Sequence, residues 1–169
     1  MKRAILSMTV VAFALFSMKA SAQVSATATA NATAYVVTPL TITTATHMNF
    51  GLVAPSSAAG TVVLGTDGSR TFGGGATQLP GTGTVSAASF NVAGEPGYTY
   101  AISLPASVSL ANGGNTIVVD NFTSNPSGTG LLTGGVQTLN VGATLEVTAN
   151  IAPGNYTTAT PFNVTVNYN

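Results

Sequence analysis

From Leu139 to Ile151 every second residue is apolar (Leu139, Val141, Ala143, Leu145, Val147, Ala149 and Ile151), and the residues between them are Asn, Gly, Thr or Glu. Side chains alternate across a pleated strand but recur every 3.6 residues around a helix, so this pattern gives a strand one apolar and one wet face. The same period returns near the C-terminus, where Phe162, Val164, Val166 and Tyr168 stand against Asn163, Thr165 and Asn167. It also governs residues 24–34, where Val24, Ala26, Ala28, Ala30, Ala32 and Ala34 alternate with Ser, Thr and Asn. No window carries apolar residues at helical spacing. Asp67-Gly68, Pro80-Gly81, Gly94-Glu95-Pro96-Gly97, Asn112-Gly113-Gly114 and Pro153-Gly154 punctuate the alternating runs with turn chemistry.

This predicts an all-β chain, a single immunoglobulin-like or Greek-key β-sandwich of about eight to ten strands. Residues 65–83 read as a hairpin with a long glycine-rich tip, residues 124–130 as a second flexible loop, and residues 98–104 as a strand with Tyr98, Tyr100, Ile102 and Leu104 on one face. The sandwich is expected to span residues 23–169, with residues 23–38 as a long N-terminal strand or arm.

Ahead of it, Lys2 and Arg3, an apolar run over residues 4–18 and the small residues Ala20-Ser21-Ala22 read as a signal peptide over residues 1–22, cleaved on export. The expected destination is the periplasm, the cell surface or the medium. No second apolar segment of about 20 residues follows, so no membrane insertion of the mature chain is expected. An outer-membrane barrel fits less well, because the chain has no Trp for aromatic girdles and fills its first strand with Ala.

Without residues 1–22 the chain keeps one cation, Arg70, against Asp67, Glu95, Asp120 and Glu146, a net charge of about −3. Phosphate backbones and anionic lipid surfaces both require several Lys or Arg, so neither nucleic acid nor membrane is an expected partner. So few charges leave hydration to Thr, Asn, Ser and Gly and remove the long-range repulsion that keeps molecules apart. With no cysteine, disulfides and thiolate metal sites are excluded.

Reactive groups are sparse. A hydrolytic triad would need His47, the only histidine, with Asp67 or Asp120, and no G-x-S-x-G elbow is present. Two carboxylates converging for glycoside hydrolysis would have to come from residues that sit in turns or on a wet strand face. The glycines of residues 73–83 lack the lysine and following helix of a phosphate loop. Four Asn-X-Thr sequons, at Asn31, Asn121, Asn155 and Asn163, are unremarkable in a chain so rich in Asn and Thr. No catalytic residue, metal site or cofactor is expected.

Residues 24–34, fully extended, would reach roughly 36 Å at about 3.3 Å per residue. They fit an ordinary first strand, an arm that pairs with the open edge of another subunit, or a flexible leader. A buried Ala methyl contributes only about 0.8 kcal/mol against roughly 1.5–3 for Val, Leu, Ile or Phe, which favours the strand within the chain.

The Ala-rich alternation, Phe50-Gly51, Phe90, Val92 and Gly94 running into Gly97, Tyr100, Ile102, Leu104 and Pro105, then Val141-Gly142 with Leu145 and Val147, and Gly154, Tyr156 and the ending from Phe162 to Tyr168 together resemble the domain-of-unknown-function family 4402. That resemblance implies an exported bacterial β-rich protein. A weaker similarity, carried by the alternating leader, Gly154 and the penultimate Tyr168, is to chaperone-usher pilins and spore-coat U type domains. It implies residues 24–34 as the strand donated to a neighbouring subunit and residues 162–168 as the edge of the receiving groove. The chain departs from those subunits in lacking cysteines and bulky leader anchors. The candidate strand-pairing residues are therefore Val24, Ala26, Ala28, Ala30, Ala32, Ala34, Phe162, Val164, Val166 and Tyr168. The expected function is that of a noncatalytic, pilin-like surface or fibre subunit whose partner is itself or a related subunit. The alternative is a binding module for carbohydrate, using exposed Tyr and Asn on residues 65–83 or 124–130.

Overall fold

In the computed structural model, which describes residues 25–169, the late alternating run becomes a twelve-residue strand through the middle of a sheet. The expected signal peptide and Val24 lie outside the described residues. The chain divides into two units, residues 1–35 and residues 36–169. In the first, residues 25–35 are exposed throughout and form no strand. The expected intrachain strand over residues 24–34 is therefore not present in the described residues. The physical reason is the one alanine imposes: a methyl of about 0.8 kcal/mol does not offset the roughly 1–2 kcal/mol needed to order each residue's backbone.

The second unit is built from antiparallel strands: β1 Thr41–Thr46, β2 Val53–Ala54, β3 Gly60–Leu64, β4 Arg70–Gly74, β5 Thr77–Gln78, β6 Ala88–Ala93, β7 Thr99–Ser103, β8 Ser107–Asn112, β9 Asn115–Asn125, β10 Thr129–Leu131, β11 Val136–Val147, β12 Thr157–Thr158 and β13 Thr165–Tyr168. A single 3-10 turn, Thr133–Gly135, precedes β11. The fold is all-β and sandwich-like, as the alternation predicts. An eight-stranded sheet runs in the order β1-β6-β11-β9-β8-β12, with β3 also paired to β11 and β4 to β3; a three-stranded sheet runs β10-β7-β13, and β2 pairs with β5.

β11 organises the molecule. Its first half pairs with β6 and its second half with β3, both along one edge, while β9 runs along the other. On its inner face Leu139 and Val141 enter one core cluster with Ala88, Phe90, Val92, Tyr100 and Leu132, whereas Ala143, Leu145 and Val147 enter another with Val62, Leu64, Ile117 and Val119. β9 keeps step by a bulge. Its register against β11 slips between Gly142 and Thr144, opposite Asn121, whose φ is 48°. The extra residue shifts the parity, so that Phe122 faces inward with Ile117 and Val119 and packs against both clusters.

The loops expected at residues 65–83 and 124–130 are more structured than their composition suggests. β3 and β4 are joined by a tight turn in which the Asp67 carboxylate accepts from the Ser69 N–H (2.9 Å) and hydroxyl (2.6 Å), and β5 then returns to pair with β2. β9 extends to Asn125, and β10 begins only four residues later.

Tyr100 is wholly buried, and its hydroxyl donates to Gln137 Oε1 at 2.8 Å. Burial pushes its phenol above the ordinary 10.0. In the unfolded chain that phenol ionises first, so unfolding releases a proton as the pH rises past it. The expected contribution to thermal stability is constant below pH about 10.0 and falls above it, and melting curves across that range for the chain and for Tyr100→Phe check this.

Candidate functional site

The three-stranded sheet covers only half of the inner face of the larger one. Ile102, Val166 and Tyr168 of β7 and β13 pack on the cluster around Leu139, but no residue of β7, β10 or β13 packs on the cluster around Leu145. Beside that second cluster lies a cleft of about 780 Å³. Its floor is the alternating apolar face of Val108 and Leu110 on β8, Ile117 and Val119 on β9, and Leu145 and Val147 on β11.

Two sheet edges border the cleft. Thr44 and Thr46 belong to β1, a strand paired only with β6, and Pro161 and Phe162 lead into β13, a strand paired only with β7. Phe162 is fixed against Phe122, their ring centroids 5.2 Å apart.

The ends of the cleft are loops held by specific hydrogen bonds. Asn49 and Ser86 exchange backbone bonds of 2.8 and 3.0 Å, and the Ser86 hydroxyl donates to the His47 carbonyl at 2.7 Å. Arg70 reaches across from β4 and donates through Nη1 to the carbonyls of Phe50 (2.6 Å) and Leu52 (3.1 Å), with its guanidinium 5.0 Å from the Phe72 ring centroid. Arg70, the one Lys or Arg among the described residues, thus holds the backbone of two cleft-lining residues. On the opposite rim the Tyr156 hydroxyl donates to the Ala152 carbonyl at 2.7 Å. No Asp, Glu, Lys or Arg lines the cleft; its polar side chains are those of His47, Tyr156, Thr and Asn.

The strand-pairing candidates fall into two groups. Phe162, Val164, Val166 and Tyr168 come together: all four are half-buried and pack on the cluster around Leu139, and β13 forms a sheet edge. Ala26, Ala28, Ala30, Ala32 and Ala34 are exposed and lie in no strand, and Val24 is outside the described residues. Among the described residues no three His, Cys, Asp or Glu side chains group to hold a metal ion. No helix of the described residues is long and apolar enough to cross a membrane.

Sequence reasoning missed the cleft floor and the loops that frame it. The alternation of Val108 and Leu110 and of Ile117 and Val119 marks those residues as inward-facing, but nothing local tells whether a second sheet covers them.

Geometry thus defines a class: an antiparallel β-sandwich whose smaller sheet packs on only part of the inner face of the larger, with β1 and β13 each paired on one side only. Residues 40–168 match the family described as Domain of unknown function (DUF4402), and the chain belongs to that family. No curated protein and no solved structure matches it.

Proposed function

We propose that this chain is a noncatalytic, exported structural subunit, pilin-like in its logic, that assembles by strand addition. Residues 24–34 of one copy supply an alternating strand, and the cleft of a second copy receives it along the open edge of β1. The observation that carries this reading is a cleft over an apolar sheet face that the three-stranded sheet does not reach, together with two strand edges, β1 and β13, each paired on one side only. Strand addition uses backbone hydrogen bonds for affinity and alternate side chains for register. The incoming face is a row of alanines, which suits a gap already narrowed by Phe162 and Phe50. Both surfaces are uncharged apart from His47, so no buried charge opposes docking.

The test is amide exchange on the chain at rising concentration, read beside sedimentation. Oligomers are expected, and the amides of β1 and of residues 26–34 gain protection together as they form. A chain that stays monomeric, or oligomers in which β1 exchanges as fast as in the monomer, overturn the proposal. A monomer retained on immobilised glycan instead would support the binding-module reading, for which the neutral rim of Asn49, Asn155 and Thr157 is the feature to mutate.

A further inference from the structure

Met48 is the one methionine among the described residues, and the chain has no cysteine, so its thioether is the one sulfur there. It stands just after β1, half-buried, and packs against both core clusters. Phe122 also packs against both, but only Met48 lines the cleft as well. We propose that Met48 is an oxidative modification site, at which a hydroperoxide converts the thioether to a sulfoxide and thereby closes the cleft to an apolar occupant. That the occupant is a strand of a second copy rests on the assembly reading above; the modification and its effect on the cleft do not.

The chemistry needs only the peroxide. The sulfur lone pair attacks the outer peroxide oxygen, an S–O bond forms as the O–O bond breaks, and the remainder takes up the proton and leaves as an alcohol, or as water from hydrogen peroxide. Sulfur gives up two electrons and the peroxide accepts them. The Thr, Ser and Asn side chains that supply most of the polar surface have no comparable reactivity.

Placement decides the consequence. The backbone on both sides of Met48 is pinned: the His47 carbonyl accepts from the Ser86 hydroxyl at 2.7 Å, and Asn49 exchanges backbone bonds of 2.8 and 3.0 Å with Ser86. Residue 48 therefore cannot move as a whole to make room for an oxygen, whereas its side chain turns about three bonds. A sulfoxide oxygen is a strong acceptor, and burying an acceptor without a donor costs free energy. The buried members of the two clusters offer none, because the single hydroxyl among them, that of Tyr100, already donates to Gln137. The cleft does, through the side-chain amides of Asn49 and Asn155 and its threonine hydroxyls. The oxidised side chain thus leaves the seam between the clusters and turns into the cleft, beside the floor of Leu110, Ile117 and Leu145. An apolar occupant would then have to strip water from it.

The experiment exposes the folded full chain to dilute hydrogen peroxide and reads peptide masses, methyl NMR signals and the thermal midpoint, with Met48→Leu treated in the same way. Leucine keeps the volume, so the variant is expected to fold. Met1, Met8 and Met18 lie outside the described residues and occur in both chains, so the difference between the chains reports Met48. The peptide holding Met48 is expected to gain one oxygen while the chain stays folded. The methyl signals of Leu110, Ile117 and Leu145 move, and the midpoint falls by about 3–6 °C. The amides of Asn49 and Ser86 keep their protection, since the backbone anchors stay. The two methionine sulfoxide reductases, one for each epimer, reverse the changes, which keeps the test valid should the variant fold poorly. Oxygen uptake at Met48 only after unfolding overturns the site. Uptake with unmoved cleft methyls and an unchanged midpoint overturns the closing of the cleft, as does the same response in Met48→Leu. Where the unoxidised chain assembles, the oxidised chain is expected to lose assembly, and undiminished assembly overturns the closing. If the unoxidised chain never assembles, the assembly reading fails by itself, and the masses, methyl signals and midpoint still decide the role of Met48.

Discussion

Deleting residues 24–34 is expected to leave the body's thermal midpoint where it was and to abolish self-assembly. The first half of this result follows from the fold: residues 25–35 are exposed, contribute no strand and place no side chain in either core cluster. Exposed segments outside any strand carry little of a domain's stability. The second half follows from the proposed role of the segment as the strand that fills a neighbour's cleft. Adding the deleted segment back as a free peptide is expected to protect the β1 amides without restoring long assemblies, because a peptide fills a cleft but carries none of its own. Calorimetry and sedimentation on the deleted chain check both halves. Assemblies that survive the deletion would show that another surface joins the subunits.

The second large effect is expected at Gly142. This residue lies in the middle of β11, between the halves that pair with β6 and with β3. A Cβ built there would collide with the carbonyl oxygen of Leu64 and crowd the backbone of Gly65 and Thr66. Those atoms are backbone, held by the β3–β4 turn, where the Gly65 N–H donates to the Ser69 carbonyl at 2.8 Å. They cannot swing aside as a side-chain tip would. Gly142→Ala is therefore expected to destabilise the fold by about 3 kcal/mol, the upper part of the usual range for forcing extra volume into a packed core. Leu139→Ala, which leaves a cavity at a fully buried site of the same strand, provides the comparison at about 2–5 kcal/mol. Urea unfolding of both variants measures the difference. A Gly142→Ala chain as stable as the parent would mean that β3 is free to shift away from β11.

The reading of residues 139–147 carried through to the structure because they lie on a strand whose one face meets a core; of residues 162–168 only Thr165–Tyr168 form a strand, while Phe162 and Val164 still turn toward the same cluster. Alternation there reports burial directly. Over the described residues 25–34 the same period is present with alanine alone, and no strand results, because period states which face a side chain takes but not whether that face has enough apolar surface to hold it. β9 shows a further limit. Its inward residues read Ile117, Val119 and then Phe122, a break in the period that looks like the end of a strand; the bulge at Asn121 carries the strand on to Asn125 with the parity reversed. A left-handed Asn at a bulge leaves no strong mark in composition.

The hydrogen bonds of Thr38 to Glu95 and Tyr168 were equally hidden. Glu95 sits in a turn signal, Tyr168 near the end of an alternating strand, and Thr38 before a proline, each with an adequate local explanation. Only the pairing of β13 with β7 and of β1 with β6 brings the three side by side.

The amino-acid order alone decided that this would be a molecule of strands, poor in charged and in reactive side chains. Those are properties of single residues and of their immediate spacing, and short-range sterics and solvation suffice to set them. Which half of the inner face the smaller sheet packs on, which strand edges stay singly paired and the hydrogen bonds of Thr38 to Glu95 and Tyr168 were decided by the tertiary structure. Each depends on which distant strands become neighbours, a choice made by the total apolar surface that the whole chain can bury at once.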